Sequence, residues 1–149
     1  MIAKFGVAPE RLHGYDLTPL VTGEGARGRE YAFYAKFGEA INVTDGRYTL
    51  FQWPPSDANT PLYWYGSQPP AFLKPRGVGA YEACEQRYPI DWVRGPMRTA
   101  LFDVTADPAQ RRDLSDEQPD VLQRMQTALR DWLIAIHAPP EQLQRLGLE

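Results

Sequence analysis

The sequence predicts an α+β domain, in which a small antiparallel sheet of three to four strands is packed by one C-terminal amphipathic helix. An Asp-Gly pair at 45–46 separates two short runs of strand-forming residues, which is typical of a hairpin. Apolar residues recur every three or four positions over 119–138, as in a helix with one buried face. The 149 residues are 43% hydrophobic, enough for one core. We therefore expect a single domain over 1–149.

The first elements are short. Pro19 and the glycines around it interrupt residues 1–23, so a short helix or an irregular packed segment is expected there. Residues 29–37 alternate in the period of a strand, with Tyr31 and Phe33 on one side. We expect this segment to be the first strand of the sheet.

The next two strands, 41–44 and 47–53, form the predicted hairpin. Asp45 and Gly46 are its expected central residues, both with positive φ in a type I′ turn. That turn pairs Val43 with Tyr48 and Ile41 with Leu50. These four side chains then share one face of the sheet, which we expect to be buried.

Residues 53–98 contain many prolines and aromatic residues and follow no regular period. Flexible linkers are poor in aromatic residues, so this stretch is predicted to be an ordered insertion. Its rings and arginines are candidates for contact with a ligand or a partner, and burial in the core is the alternative. The candidate contact residues are Trp64, Tyr65, Arg76, Trp92 and Arg94.

The last elements begin with a short apolar strand at 100–104. The main helix is expected over 119–138, with Pro119 in its first turn and His137 at its negative end. Pro139 and Pro140 end that helix, and a last short helix over about 140–146 is expected after them.

Composition excludes several function classes. The net charge of −3 disfavours general nucleic-acid binding. Neither a membrane-spanning apolar run nor a signal segment occurs in the sequence, so no membrane association and a cytoplasmic location are the default expectations. One cysteine, Cys84, and two histidines rule out a disulfide framework and a site built from several cysteines. We predict no catalytic residue and no metal ligand in this chain.

Three phrases occur in a fixed order along the chain: GYDLTPLVTGE at 14–24, DGRYTL at 45–50 and LFDVTADPAQRRDL at 101–114. They resemble the phrases G-x-S-L-x-P-L-L-x-G, D-G-R-Y-K-L and L-Y-D-L-x-x-D-P-x-E-x-x-N-L of the sulfatases, which are sulfuric ester hydrolases of the alkaline phosphatase superfamily. The likeness covers about two thirds of the chain and leaves out 53–98. The departures from the family pattern are Asp16, Thr49, Gln110 and Asp113, where the family has serine, lysine, glutamate and asparagine.

The resemblance implies the C-terminal subdomain of a sulfatase, a small sheet covered by the last long helix and packed on a larger catalytic domain. That missing domain would carry a Cys-or-Ser-x-Pro-x-Arg nucleophile modified to formylglycine and a divalent cation, calcium or magnesium. No such phrase occurs here, since Cys84 lacks the proline and Ser67 has Ala71 where the arginine is required. The expected partner is therefore a sulfatase catalytic domain, and this chain alone is expected to be inactive.

A second function class stays open at the level of the sequence. The chain is then a non-catalytic module that acts by itself, with its aromatic insertion binding a sugar, a peptide or another copy in a homo-oligomer. A nucleophile motif encoded upstream in the same reading frame would favour the sulfatase interpretation.

Overall fold

The computed structural model describes residues 18–24, 28–65, 87–89 and 98–149. The chain divides into two compact units, Met1–Glu30 and Tyr31–Glu149. In the first unit, α1 (Thr18–Thr22) is a single turn that ends at Gly23, whose φ is +75°. The expectation of a short helix in this region is confirmed.

The second unit is built on a four-stranded antiparallel sheet. Its helices are α2 (Pro119–Ala135) and α3 (Pro140–Leu146). The predicted α+β class and the number of strands in the main sheet are therefore confirmed. The four strands are β1 (Ala32–Ala35), β2 (Ile41–Thr44), β3 (Tyr48–Gln52) and β6 (Ala100–Asp103). They are adjacent in the order β1-β2-β3-β6.

The hairpin forms, but its register differs from the prediction. Val43 pairs with Leu50 rather than with Tyr48, and the turn is centred on Gly46 and Arg47. Only Gly46 has a positive φ in this turn, +92°, which is the backbone that a type II′ turn needs at its first central position. The shift is by two residues, so every side chain keeps the face that was predicted for it.

Part of the predicted insertion forms a second, two-stranded antiparallel sheet of β4 (Tyr63–Tyr65) and β5 (Arg87–Pro89). Neither strand was predicted from the sequence. A proline inside a strand can only occupy an edge or an end, and Pro89 is the last residue of β5. Between β3 and β4, Pro54 is fully buried and Leu62 is 4% exposed. This stretch therefore packs against the folded unit.

The core lies between one face of the main sheet and the two helices. The middle row of that face joins Val43, Leu50 and Leu101 on three adjacent strands, and all three are fully buried. Helix α2 packs on β2 and β3. Three of its residues are buried against the sheet, namely Met125, Leu129 and Leu133. The predicted stripe of the helix is thus the buried face.

Both C-terminal helices end with a residue in the left-handed region. In α2 the residue is His137, with φ +55°. Its N–H donates to Ile134 O, and the N–H of Ala138 donates to Leu133 O. This is the hydrogen-bond pattern of a Schellman motif, and it ends α2 three residues before the predicted limit. Gly147 ends α3 with the same pattern, at φ +65°.

Candidate functional site

The structure does not test the ligand or partner contacts that were predicted from the sequence. Arg76, Trp92 and Arg94 lie outside the described residues. Trp64 and Tyr65 belong to β4, for which the backbone alone is described. Their role as contacts for a ligand or a partner therefore stays a prediction. The side chains that the structure brings together lie on the main sheet and its turns.

The β2–β3 turn is tied to helix α2 by a network centred on Asp45. One oxygen of this carboxylate accepts the N–H groups of Arg47 at 2.9 Å and Tyr48 at 2.7 Å. The other oxygen accepts Arg124 Nη2 at 2.7 Å, and Arg124 Nη1 donates to the hydroxyl of Tyr31 at 3.0 Å. Partial burial raises the pKa of Asp45, but these donors outweigh it and the pKa lies below its usual value.

A second ion pair joins the same turn to the end of β6. Arg47 Nε donates to Asp103 Oδ2 at 3.0 Å, and the guanidinium carbon lies 4.8 Å from the ring centre of Tyr48. The other oxygen of Asp103 accepts the N–H groups of Thr105 and Ala106. The N–H of Ala106, followed by the Arg47 guanidinium, lowers the pKa of Asp103. Asp103 is thus held as a carboxylate whose two oxygens are both occupied.

The segment that follows β6 is folded by carboxylates that accept backbone N–H groups. Asp107 Oδ2 accepts the N–H groups of Arg111 at 2.6 Å and Arg112 at 2.9 Å. The Arg112 side chain forms an ion pair with Glu117 at 2.6 Å. Arg111 is exposed, and no ion pair of its side chain occurs within the described part of the chain.

Farther along the same segment, Asp113 is a second carboxylate that organises the backbone. Its Oδ1 accepts the N–H groups of Leu101 at 3.0 Å and Ser115 at 2.9 Å. Partial burial raises the pKa of Asp113, but the Leu101 and Ser115 N–H groups bring it below its usual value. The segment after β6 is therefore tied back to the edge strand of the sheet.

At the far end of β3, Gln52 connects both C-terminal helices to the sheet. Its Nε2 donates to Leu146 O at 2.9 Å, and its Oε1 accepts Gln126 Nε2 at 2.9 Å. Gln52 is 4% exposed. Because a buried amide must find partners inside the protein, these bonds specify where the two helices sit on the sheet.

A buried arginine joins α3 to the loops that flank the sheet. Arg145 is 3% exposed, and its Nη1 donates to Asn59 Oδ1 at 2.9 Å and to Glu39 O at 3.4 Å. Burial lowers the pKa of Arg145 to about 10. Asn59 is fully buried and in turn donates to Gly38 O at 2.7 Å. The acceptors of this cation are neutral oxygens. Arg145 therefore has a structural role, connecting α3 to these loops.

The sheet face opposite α2 is more polar than the core face. Tyr34, Asn42 and Phe51 are neighbours across three strands. Burial raises the pKa of the Tyr34 hydroxyl, and a hydrogen bond to Thr49 opposes that rise. Asn42 is 8% exposed, and its Oδ1 has no hydrogen-bond partner among the residues that the structure describes. Phe51 packs edge-on against Phe102, with ring centres 5.8 Å apart.

The outer surface of α2 and Tyr31 bound an open groove of about 490 Å³. Arg124 lies in its wall but is already bonded to Asp45 and Tyr31. The remaining walls are polar helix residues, among them Asp120 and Asp131. The groove holds no group of side chains with an obvious chemical role.

The described residues show no arrangement for metal chemistry. Among them, no group of three histidine, cysteine, aspartate or glutamate side chains is close enough to hold an ion. None of the helices in this part of the chain is both long enough and apolar enough to span a bilayer.

The pairing of Arg47 with Asp103 was not predicted from the sequence. The two residues are 56 positions apart, and each lay in a segment that was interpreted only for its strands and turns. The Asp45-Gly46-Arg47 phrase indicated only the local part of this site, the bond from the Arg47 N–H to Asp45. A carboxylate at the start of a turn commonly accepts the N–H two residues later. Only the position of β6 beside β3 brings Asp103 to that turn.

No protein family profile matches the sequence, and no curated protein matches it. Seven solved chains match its fold. One of them is a sulfatase of Bacteroides thetaiotaomicron from a study of a genetic locus for metabolism of multiple glycosaminoglycans. The TM-score is 0.53 at 14% identity, and the match covers 87% of this chain and 22% of that chain. The chain thus has the fold of one part of a sulfatase.

Proposed function

We propose that this chain is the C-terminal, non-catalytic portion of a sulfatase-type hydrolase of sulfate or related anionic esters. The observation that carries the proposal is the extent of the structural match, which covers 87% of this chain but 22% of the sulfatase. Three phrases at 14–24, 45–50 and 101–114 resemble sulfatase phrases in the same order, which supports the same assignment independently of the fold.

The role of such a portion is to pack on a catalytic domain and to frame its cleft. Nucleophilic and metal-assisted ester hydrolysis need an activated nucleophile and a held cation. The sequence contains no Cys-or-Ser-x-Pro-x-Arg phrase, so the formylglycine and the calcium or magnesium ion belong to the catalytic domain in this proposal. The chain contributes a rigid sheet whose turns are fixed by Asp45, Asp103 and Asp107.

The first test is turnover by the purified chain. With added calcium or magnesium and an aryl sulfate, we expect no hydrolysis above that of a buffer control. The matched control is the Cys84→Ala variant, which removes the single thiol. Turnover that follows the protein through purification and disappears in this variant would contradict a non-catalytic role.

The second test asks whether a catalytic domain accompanies this chain. The reading frame upstream of Met1 and the adjacent genes are sequenced from the source DNA, and we expect a Cys-or-Ser-x-Pro-x-Arg phrase in one of them. Co-expression of that product with a tagged form of this chain should then recover both proteins together. If no such phrase is encoded nearby, the assignment to a sulfatase loses its support.

Light scattering over a dilution series tests the competing idea of a self-associating module. A constant monomer mass agrees with a missing catalytic domain as the partner. A mass that rises with concentration, and falls again in a Trp64→Ser, Tyr65→Ser double variant, would favour self-association through the insertion.

A further inference from the structure

The turn between β2 and β3 carries an exposed arginine, Arg47, whose guanidinium is oriented by two contacts. Arg47 uses Nε for its bond to Asp103, and its guanidinium lies over the ring of Tyr48. Its side chain is nevertheless 64% exposed. Within the described part of the chain, neither Nη1 nor Nη2 has an acceptor. Two contacts therefore hold the guanidinium plane while its outer N–H groups remain available to a ligand.

The carboxylates around this arginine are already occupied. Asp103 accepts two backbone N–H groups through the oxygen that Arg47 does not use. Asp45 accepts Arg124 and two N–H groups of its own turn. Asp107 accepts two more N–H groups from the segment that follows β6. The outer N–H groups of Arg47 thus have no competing carboxylate among these three.

A second arginine, Arg111, belongs to the segment after β6, and its side chain forms no ion pair with the residues that the structure describes. The N–H of Val104 donates to Arg47 O at 2.8 Å, and the N–H of Asp107 donates to Asp103 O at 2.8 Å. These bonds attach the segment after β6 to the β2–β3 turn, and Asp107 in turn fixes the backbone of Arg111. Arg111 is exposed. These backbone bonds connect the segment that carries Arg111 to the turn that carries Arg47.

We propose that Arg47, with Arg111 from the segment attached to its turn, binds the sulfate group of a sulfated carbohydrate. A guanidinium presents parallel N–H groups that match two oxygens of a tetrahedral oxyanion. An arginine that is already oriented loses less side-chain entropy on binding. The choice of sulfate as the oxyanion, and of a carbohydrate as its carrier, rests on the proposed function. The two-point orientation of Arg47 rests on the structure alone.

The test is a titration of the full chain, labelled with nitrogen-15, followed at the Nε–Hε signal of Arg47. The probes are a monosulfated disaccharide, the same disaccharide without sulfate, sodium sulfate, and sodium chloride at matched ionic strength. We expect a saturable shift with the sulfated disaccharide and none with the unsulfated one.

Three variants locate the binding. Arg47→Met should weaken binding of the sulfated disaccharide about tenfold, because charge-assisted hydrogen bonds are lost. Arg47→Lys keeps the charge but loses the paired donors, so an intermediate loss is expected. Arg130→Met is the matched control, since Arg130 is an exposed arginine of α2 at 3.6 Å from Asp131. Circular dichroism and thermal melting verify that each variant is folded.

Equal affinity in the wild type and Arg47→Met would overturn the proposal, and so would a wild-type chain that shows no saturable shift. Sodium sulfate that binds as tightly as the sulfated disaccharide would overturn the carbohydrate assignment. This titration needs no catalytic domain. Its result is therefore independent of the turnover and co-expression tests, and the two proposals can fail separately.

Discussion

Replacement of Leu129 by alanine tests whether α2 is docked on the sheet as described. Leu129 is fully buried in the core, with 0% solvent exposure. The change removes three carbon groups at about 0.8 kcal/mol each, or about 2.4 kcal/mol. Incomplete collapse of the cavity adds about 1 kcal/mol or more. We therefore expect the free energy of unfolding to fall by about 3–4 kcal/mol.

The assay is urea unfolding followed by circular dichroism, together with a thermal melt. At about 4 °C per kcal/mol, the expected fall in Tm is about 12–16 °C. Ile134→Ala is the matched control on the same helix, because Ile134 is 47% exposed, and it should cost less than about 1 kcal/mol. Similar losses in the two variants would refute the docked arrangement of α2.

Two further substitutions test contacts between α2 and the main sheet with its turn. The Trp132 ring stacks on Phe33 with ring centres 4.4 Å apart and is partly buried. Trp132→Ala should therefore lower the free energy of unfolding in a urea titration by about 2–3 kcal/mol. A loss below about 1 kcal/mol would show that the stack contributes little. Asp45→Asn should cost about 1 kcal/mol at neutral pH. Because the pKa of Asp45 is lower in the folded state, its contribution is complete above the unfolded value of about 3.9 and is lost as pH falls through the folded value. The difference in Tm between the two proteins should therefore narrow as pH falls below about 3.9, and a gap that stays constant from pH 7 to pH 3 would contradict this assignment.

The elements that the sequence predicted correctly are those with a local cause. The buried stripe of α2 follows from its apolar spacing, and β2 was predicted with its observed limits, Ile41–Thr44. The exact register of the hairpin could not be predicted in this way. The register depends on which two residues occupy the centre of the turn. Asp45 accepts the N–H groups of Arg47 and Tyr48, and these bonds favour Gly46 and Arg47 at the centre over Asp45 and Gly46.

The other features that could not be predicted depend largely on contacts between residues far apart in the sequence. No local pattern connects Arg145 with Asn59, which is 86 positions earlier, or Arg47 with Asp103. The strand β5 was missed because its last residue, Pro89, lacks the N–H that a strand interior uses. The proposed contacts Trp64, Tyr65, Arg76, Trp92 and Arg94 depend on where side chains of the insertion lie, and they stay predictions.

The hydrogen bond from Gln52 to the carbonyl of Leu146 has a consequence for synthesis on the ribosome. The two residues are 94 positions apart, and Leu146 and Leu148 belong to the buried core. At about 5–20 residues per second, roughly 5–19 s separate the synthesis of Gln52 from that of Leu146. During that interval the apolar face of the nascent sheet lacks its last covering residues. The unit therefore completes its core late, and a nascent chain stalled before Leu146 should remain sensitive to protease and bind chaperones.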